Sequence, residues 1–110
     1  MSNGNGLTIP KKVKEQAINE PANSSPLACV MVNSIMILAM TNNDVLHINV
    51  IYQATCSTLY VNVFNVDGNI YKPIFSRVTH LDVQSTIEDL KDLEDELIEL
   101  IGNAKDNLDV

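Results

Sequence analysis

Residues 85–101 read STIEDLKDLEDELIELI, and at the helical step of 100° per residue this stretch divides into two unlike faces. Ile87, Leu90, Leu93, Leu97, Ile98, Leu100 and Ile101 fall within an arc of roughly 160°. Glu88, Asp89, Asp92, Asp95, Glu96 and Glu99 fill most of the opposite arc. The order Ser85-Thr86-Ile87-Glu88 fits a capping box, with the Ser85 hydroxyl accepting from the Glu88 amide and the Glu88 carboxylate reaching back. Gly102-Asn103 supplies a stop signal, so the expected helix spans 85–102. Alone it would be marginal. Burying its apolar arc is worth ~1.5–3 kcal/mol per Leu or Ile, so the rest of the chain should supply a surface to cover that arc.

Residues 27–81 are expected to supply it as a sheet. Leu27–Met40 is an uninterrupted apolar run except for Asn33-Ser34. It reads as one long buried strand bulged at that pair, or else as two strands turning there. Thr41-Asn42-Asn43-Asp44 has turn chemistry. After it, Leu46, Ile48, Val50 and Tyr52 alternate with His47, Asn49, Ile51 and Gln53, the pattern of a strand buried on one face. A third strand is expected over Thr58–Val66. Asp67-Gly68 matches a type I′ hairpin, and a fourth strand follows over Asn69–Val78, with Pro73 confining it to an edge or breaking it. The predicted architecture is α+β: an antiparallel sheet of about four strands over 27–81, with the C-terminal amphipathic helix across one face. Residues 1–26, with Ser2-Asn3-Gly4-Asn5-Gly6 at one end and two prolines and paired serines over 19–26, read as a flexible N-terminal arm. Within it, Pro10 is placed to open a short helix through Ile18. The length of 110 residues suits one domain over 27–110, large enough for a core without disulfides.

The net charge of −7 is unevenly placed. Met1 to Leu81 holds five basic and four acidic residues, a net of +1, while Asp82 to Val110 holds ten acidic residues against Lys91 and Lys105, a net of −8. Such a chain lacks the cationic footprint for direct binding to nucleic acid or to an anionic membrane; a basic protein is the expected partner. The apolar run of 27–40 is too short to span a bilayer and too far from the start for a signal sequence. A cytoplasmic location is expected, in the host cytoplasm for a viral protein. Cys29 and Cys56 have neither CxxC spacing nor a disulfide-rich context and read as buried free thiols.

No nucleophile–base pair, phosphate loop or EF-hand spacing is present. Asp44, Asp67 and Asp82 sit beside turns or a helix start, where Asp is structurally favoured. His47, His80, Cys29 and Cys56 have no ligand spacing. The expectation is therefore a non-enzymatic protein with no metal and no cofactor. Its acidic face is over-supplied for solubility alone: Glu88–Asp92, Asp92–Glu96 and Asp95–Glu99 are like-charge pairs four apart, each costing roughly 0.2–0.5 kcal/mol. Glu88, Asp92, Glu94, Asp95, Glu96 and Glu99 are the candidate partner-binding residues, presenting a charge array that could mimic nucleic acid to a nucleic-acid-binding protein. Glu94 stands apart, because it projects within the apolar arc and should sit at its rim or meet a cation such as Arg77 or Lys72. In its size, acidic helix and want of catalytic groups the chain resembles the general habit of small viral or mobile-element inhibitors. The alternative is a small-ligand module using His47, Asn49, Gln53 and Asn62 on the sheet face, or a homodimeric scaffold.

Overall fold

The computed structural model describes residues 26–108. The expected arm over 1–26 and the Pro10–Ile18 helix lie outside the described residues, Pro26 excepted. In chain order the elements are helix α1 (Pro26–Thr41), strand β1 (Leu46–Gln53), a 3₁₀ turn (Ala54–Cys56), strands β2 (Thr58–Asn65) and β3 (Phe75–His80), and helix α2 (Thr86–Leu108). The strands form one antiparallel sheet in the order β1-β2-β3. The α+β class and the C-terminal helix hold; the sheet has three strands, not about four.

The correction lies in Leu27–Met40, which is helical. A run that is apolar on every side carries no period to separate strand from helix, and its length favours a helix. Local chemistry agrees. Pro26 occupies the first turn, where its missing N–H costs nothing. At the other end the Thr41 hydroxyl donates to the Ile37 carbonyl at 2.7 Å and the Asn42 side-chain Nδ2 to the Leu38 carbonyl at 3.0 Å. Asn33-Ser34 is no bulge: Ser34 is half-buried, and its hydroxyl donates to the Glu94 carboxylate of α2.

β1 and β2 pair without a bulge from Leu46↔Asn65 to Gln53↔Thr58. The 3₁₀ turn between them closes at Ser57, whose φ of 49° is left-handed. The link from β2 to β3 is longer than the expected two-residue hairpin. No described glycine has a positive φ, so Asp67-Gly68 cannot form a type I′ turn. Instead the Gly68 amide donates to the Asn65 carbonyl and the Lys72 amide to the Asn69 carbonyl, both at 3.1 Å, giving two successive turns. The Asn69 side chain holds the second by accepting from the Tyr71 amide. Pro73 cannot donate to a ladder, and β3 starts only at Phe75, not at Asn69.

Leu46, Ile48, Leu59, Val61 and Val63 project from one sheet face into the core and meet Ile35 and Ala39 of α1 and Leu90, Leu93, Leu97 and Ile101 of α2. Helix α1 packs on β1 and along α2, while α2 also packs on β3. Both helices thus cover the same sheet face. Helix α2 does not stop at 102, because Gly102 is simply exposed within it and the helix continues to Leu108. Its start also differs from a Ser85–Glu88 capping box. The Ser85 hydroxyl donates to the Asp89 carboxylate at 2.9 Å, and the buried Thr86 hydroxyl donates to the Val83 carbonyl at 2.7 Å.

Candidate functional site

Burial divides α2 along the line drawn by its sequence. Leu90, Leu93 and Leu97 are fully buried, whereas Glu88, Asp92, Asp95 and Glu99 are exposed and Glu96 is half-buried. Asp92, Asp95, Glu96 and Glu99 line a shallow depression of about 340 Å³ whose remaining wall is Arg77. Arg77 reaches this position from the core-facing side of β3, opposite Val61, and its guanidinium lies 5.2 Å from the centre of the Phe75 ring, within cation–π range. One fixed cation therefore stands beside four carboxylates. The local field remains negative, and a flexible Lys or Arg from a partner would find acceptors already in place.

Of the six expected partner-binding residues, the structure brings Glu88, Asp92, Asp95, Glu96 and Glu99 onto one flank and removes Glu94. Glu94 is half-buried on the side of α2 that faces α1 and accepts from Ser34, in place of the expected Arg77 or Lys72. Arg77 is the member of the depression that sequence reading did not assign to it. The alternation of β3 would have placed it on the inner face, but the weak signal of a six-residue strand hid that register.

His47, Asn49 and Gln53 of β1 and Asn62 of β2 share the outer sheet face, where Asn49 pairs with Asn62. The Asn62 side-chain oxygen Oδ1 accepts from the Ser76 hydroxyl at 2.8 Å. The next rung is apolar, with Ile51, Tyr60 and Val78 side by side. This face is flat and open, with neither helix on it.

The thiols correct another expectation: Cys29 and Cys56 are free, but both are exposed. Each lies on the outside of a short-pitch element, Cys29 on the outer face of α1 and Cys56 in the 3₁₀ turn. The charge of a Cys56 thiolate, together with burial and a hydrogen bond to Cys56, raises the Tyr60 phenol above its ordinary value of 10.0. Among the described residues no group of three or more His, Cys, Asp or Glu side chains is placed to hold a metal ion. No described helix is long and apolar enough to cross a membrane. Comparison with protein-family models, with characterised proteins and with solved structures finds no match to the chain.

Proposed function

We propose that this is a non-enzymatic interaction protein whose α2 helix captures, and thereby blocks, a basic protein surface. The observation that carries the reading is the exposed acidic flank itself. Helix α2 is anchored by fully buried leucines, so the carboxylates of Asp92, Asp95, Glu96 and Glu99 are presented on a rigid element and not on a loop. Their mutual repulsion is a standing cost to the free protein. A cationic partner would relieve it on binding, which favours both association rate and affinity. A partner that ordinarily binds nucleic acid has the required surface, since it presents regularly spaced Lys and Arg to phosphates.

The test is capture from an extract of the native host by immobilised wild type and by the triple variant Asp92→Lys, Asp95→Lys, Glu99→Lys. Rim charges contribute about 0.2–1 kcal/mol each, so reversing three should weaken retention about tenfold or more, equivalent to at least ~1.4 kcal/mol. Wild-type capture should also fall as salt rises, because exposed charge pairs are screened. All three positions are exposed, so helix content by circular dichroism should be unchanged. Equal retention by the variant, or capture insensitive to salt, would remove the reading.

A further inference from the structure

The opposite flank of the molecule carries an unrelated surface. Helix α1 has no charged residue among its 16, and only one side of it is buried. Val30 is 62% exposed, Ile37 52% and Met40 72%. Cys29, Met36 and Met40 run along the side of α1 turned away from α2, the side facing α2 being marked by the Ser34–Glu94 contact. Between this side and the sheet lies a groove of about 360 Å³ lined by Cys29, Val32, Met36, Tyr52 and Leu81. The sheet side of that groove is Tyr52, next to last in β1, and Leu81, just beyond β3, while the outer edge of β1 itself pairs with nothing among the described residues. Proteins commonly blunt such an edge with Pro, Lys or a bulge. β1 has none of these across eight residues of unbroken register.

We propose that this flank is the interface of a homodimer, in which β1 pairs antiparallel with β1 of a second copy and the two α1 helices pack side by side. A two-fold axis beside β1 extends the three-stranded sheet to six strands and brings the Cys29, Met36 and Met40 side of each α1 against its symmetry mate. Three observations select a second copy as the occupant. First, α1 offers no charge by which to choose a foreign partner, and a two-fold contact needs none. Second, the acidic flank of α2 lies over β3, at the far side of the sheet from β1. Two chains of net charge −7 can therefore meet at β1 with the carboxylates of their α2 flanks held at the two outer ends. Third, Cys29, Met36, Met40 and Tyr52 are all exposed and stand on the side of α1 turned away from α2 and at the end of β1, so that a contact centred on β1 would bury them together.

The full-length chain is measured by sedimentation equilibrium under reducing conditions at micromolar concentration, beside Met40→Asp and Met36→Asp. Wild type should have twice the mass of one chain, and both variants the mass of one. Met40 is so exposed that the aspartate should not unfold the monomer, which circular dichroism checks. Alkylation by iodoacetamide supplies a second reading. Cys29 in wild type should react about tenfold or more slowly than in Met40→Asp, whereas Cys56, at the end of the sheet, should react alike in both. Dimer mass in wild type together with fast Cys29 alkylation confined to the variants supports the interface. A monomeric wild type overturns it. Slow Cys29 in that monomer would assign the groove to residues 1–25 of the same chain, and fast Cys29 to a foreign protein. A Met40→Asp protein that remains dimeric also overturns it. Because this contact is apolar, it should survive the salt that weakens acidic capture, so the two readings fail separately.

Discussion

Leu93→Ala is expected to lower the free energy of unfolding by about 3 kcal/mol and the melting temperature by roughly 12–24 °C. Leu93 is fully buried in the cluster that joins α2 to the sheet and to α1. Its removal costs the transfer energy of the lost carbons and leaves a cavity, and a site walled by two helices and a sheet can collapse only partly to fill it. Ile98→Ala is the matched control. It belongs to the same apolar arc but is 51% exposed, so its cost should stay within about 1 kcal/mol. Urea unfolding followed by helix content separates the two: Leu93→Ala should move the midpoint with little change in slope. Both proteins must be compared at one concentration, because the proposed dimer would add a concentration-dependent stabilisation. A loss under about 1 kcal/mol for Leu93→Ala would mean that α2 is not anchored by this face, and the rigid acidic flank would lose its support.

That contrast also marks what the sequence could and could not reveal. Helix α2 was legible because its two faces differ so sharply that a period of 3.6 is the one pattern that separates them. β1 was legible because Leu46, Ile48 and Val50 alternate with polar residues against a solvent-facing side. Helix α1 was not, since both of its faces are apolar and the pattern that distinguishes a helix from a strand is an inside–outside difference. The cause of that illegibility is itself informative. A helix half-exposed in the monomer yet apolar all round has a second apolar surrounding to answer for, and the proposed dimer supplies it. Glu94 shows the same limit at one residue. Its place within the apolar arc predicted a rim position, but nothing local named Ser34, sixty residues away, as the donor. The depression beside Arg77 depended likewise on the register of β3, which the two turns over 66–74 shifted from the expected hairpin.

The join between β3 and α2 rests on one side chain, and Thr86→Val should expose that dependence at a cost of about 2 kcal/mol. Thr86 has no exposed surface. Its hydroxyl lies 2.7 Å from the Val83 carbonyl and 3.2 Å from the His80 carbonyl, and it accepts from the Val83 amide at 3.4 Å. It therefore ties the last residue of β3 to the first turn of α2 through a bend whose other buried side chain, Leu81, is apolar. Valine keeps the shape and removes the hydroxyl, so no cavity forms and the loss is polar: buried backbone groups are left without the partner the fold gave them. Thr86→Ser reverses the comparison, keeping the hydroxyl and losing a methyl group worth about 1 kcal/mol. The serine variant should thus be the more stable of the two. Hydrogen exchange sharpens the reading, because in Thr86→Val the amides of the first turn of α2 should lose protection before those near Leu97. Equal stability of Thr86→Val and wild type would show that the bend is held by the packing of Leu81 and Leu90 alone. A loss for valine exceeding that for serine would locate the hold in the hydroxyl, and with it the angle at which α2 presents Asp92, Asp95 and Glu99 beyond the edge of the sheet.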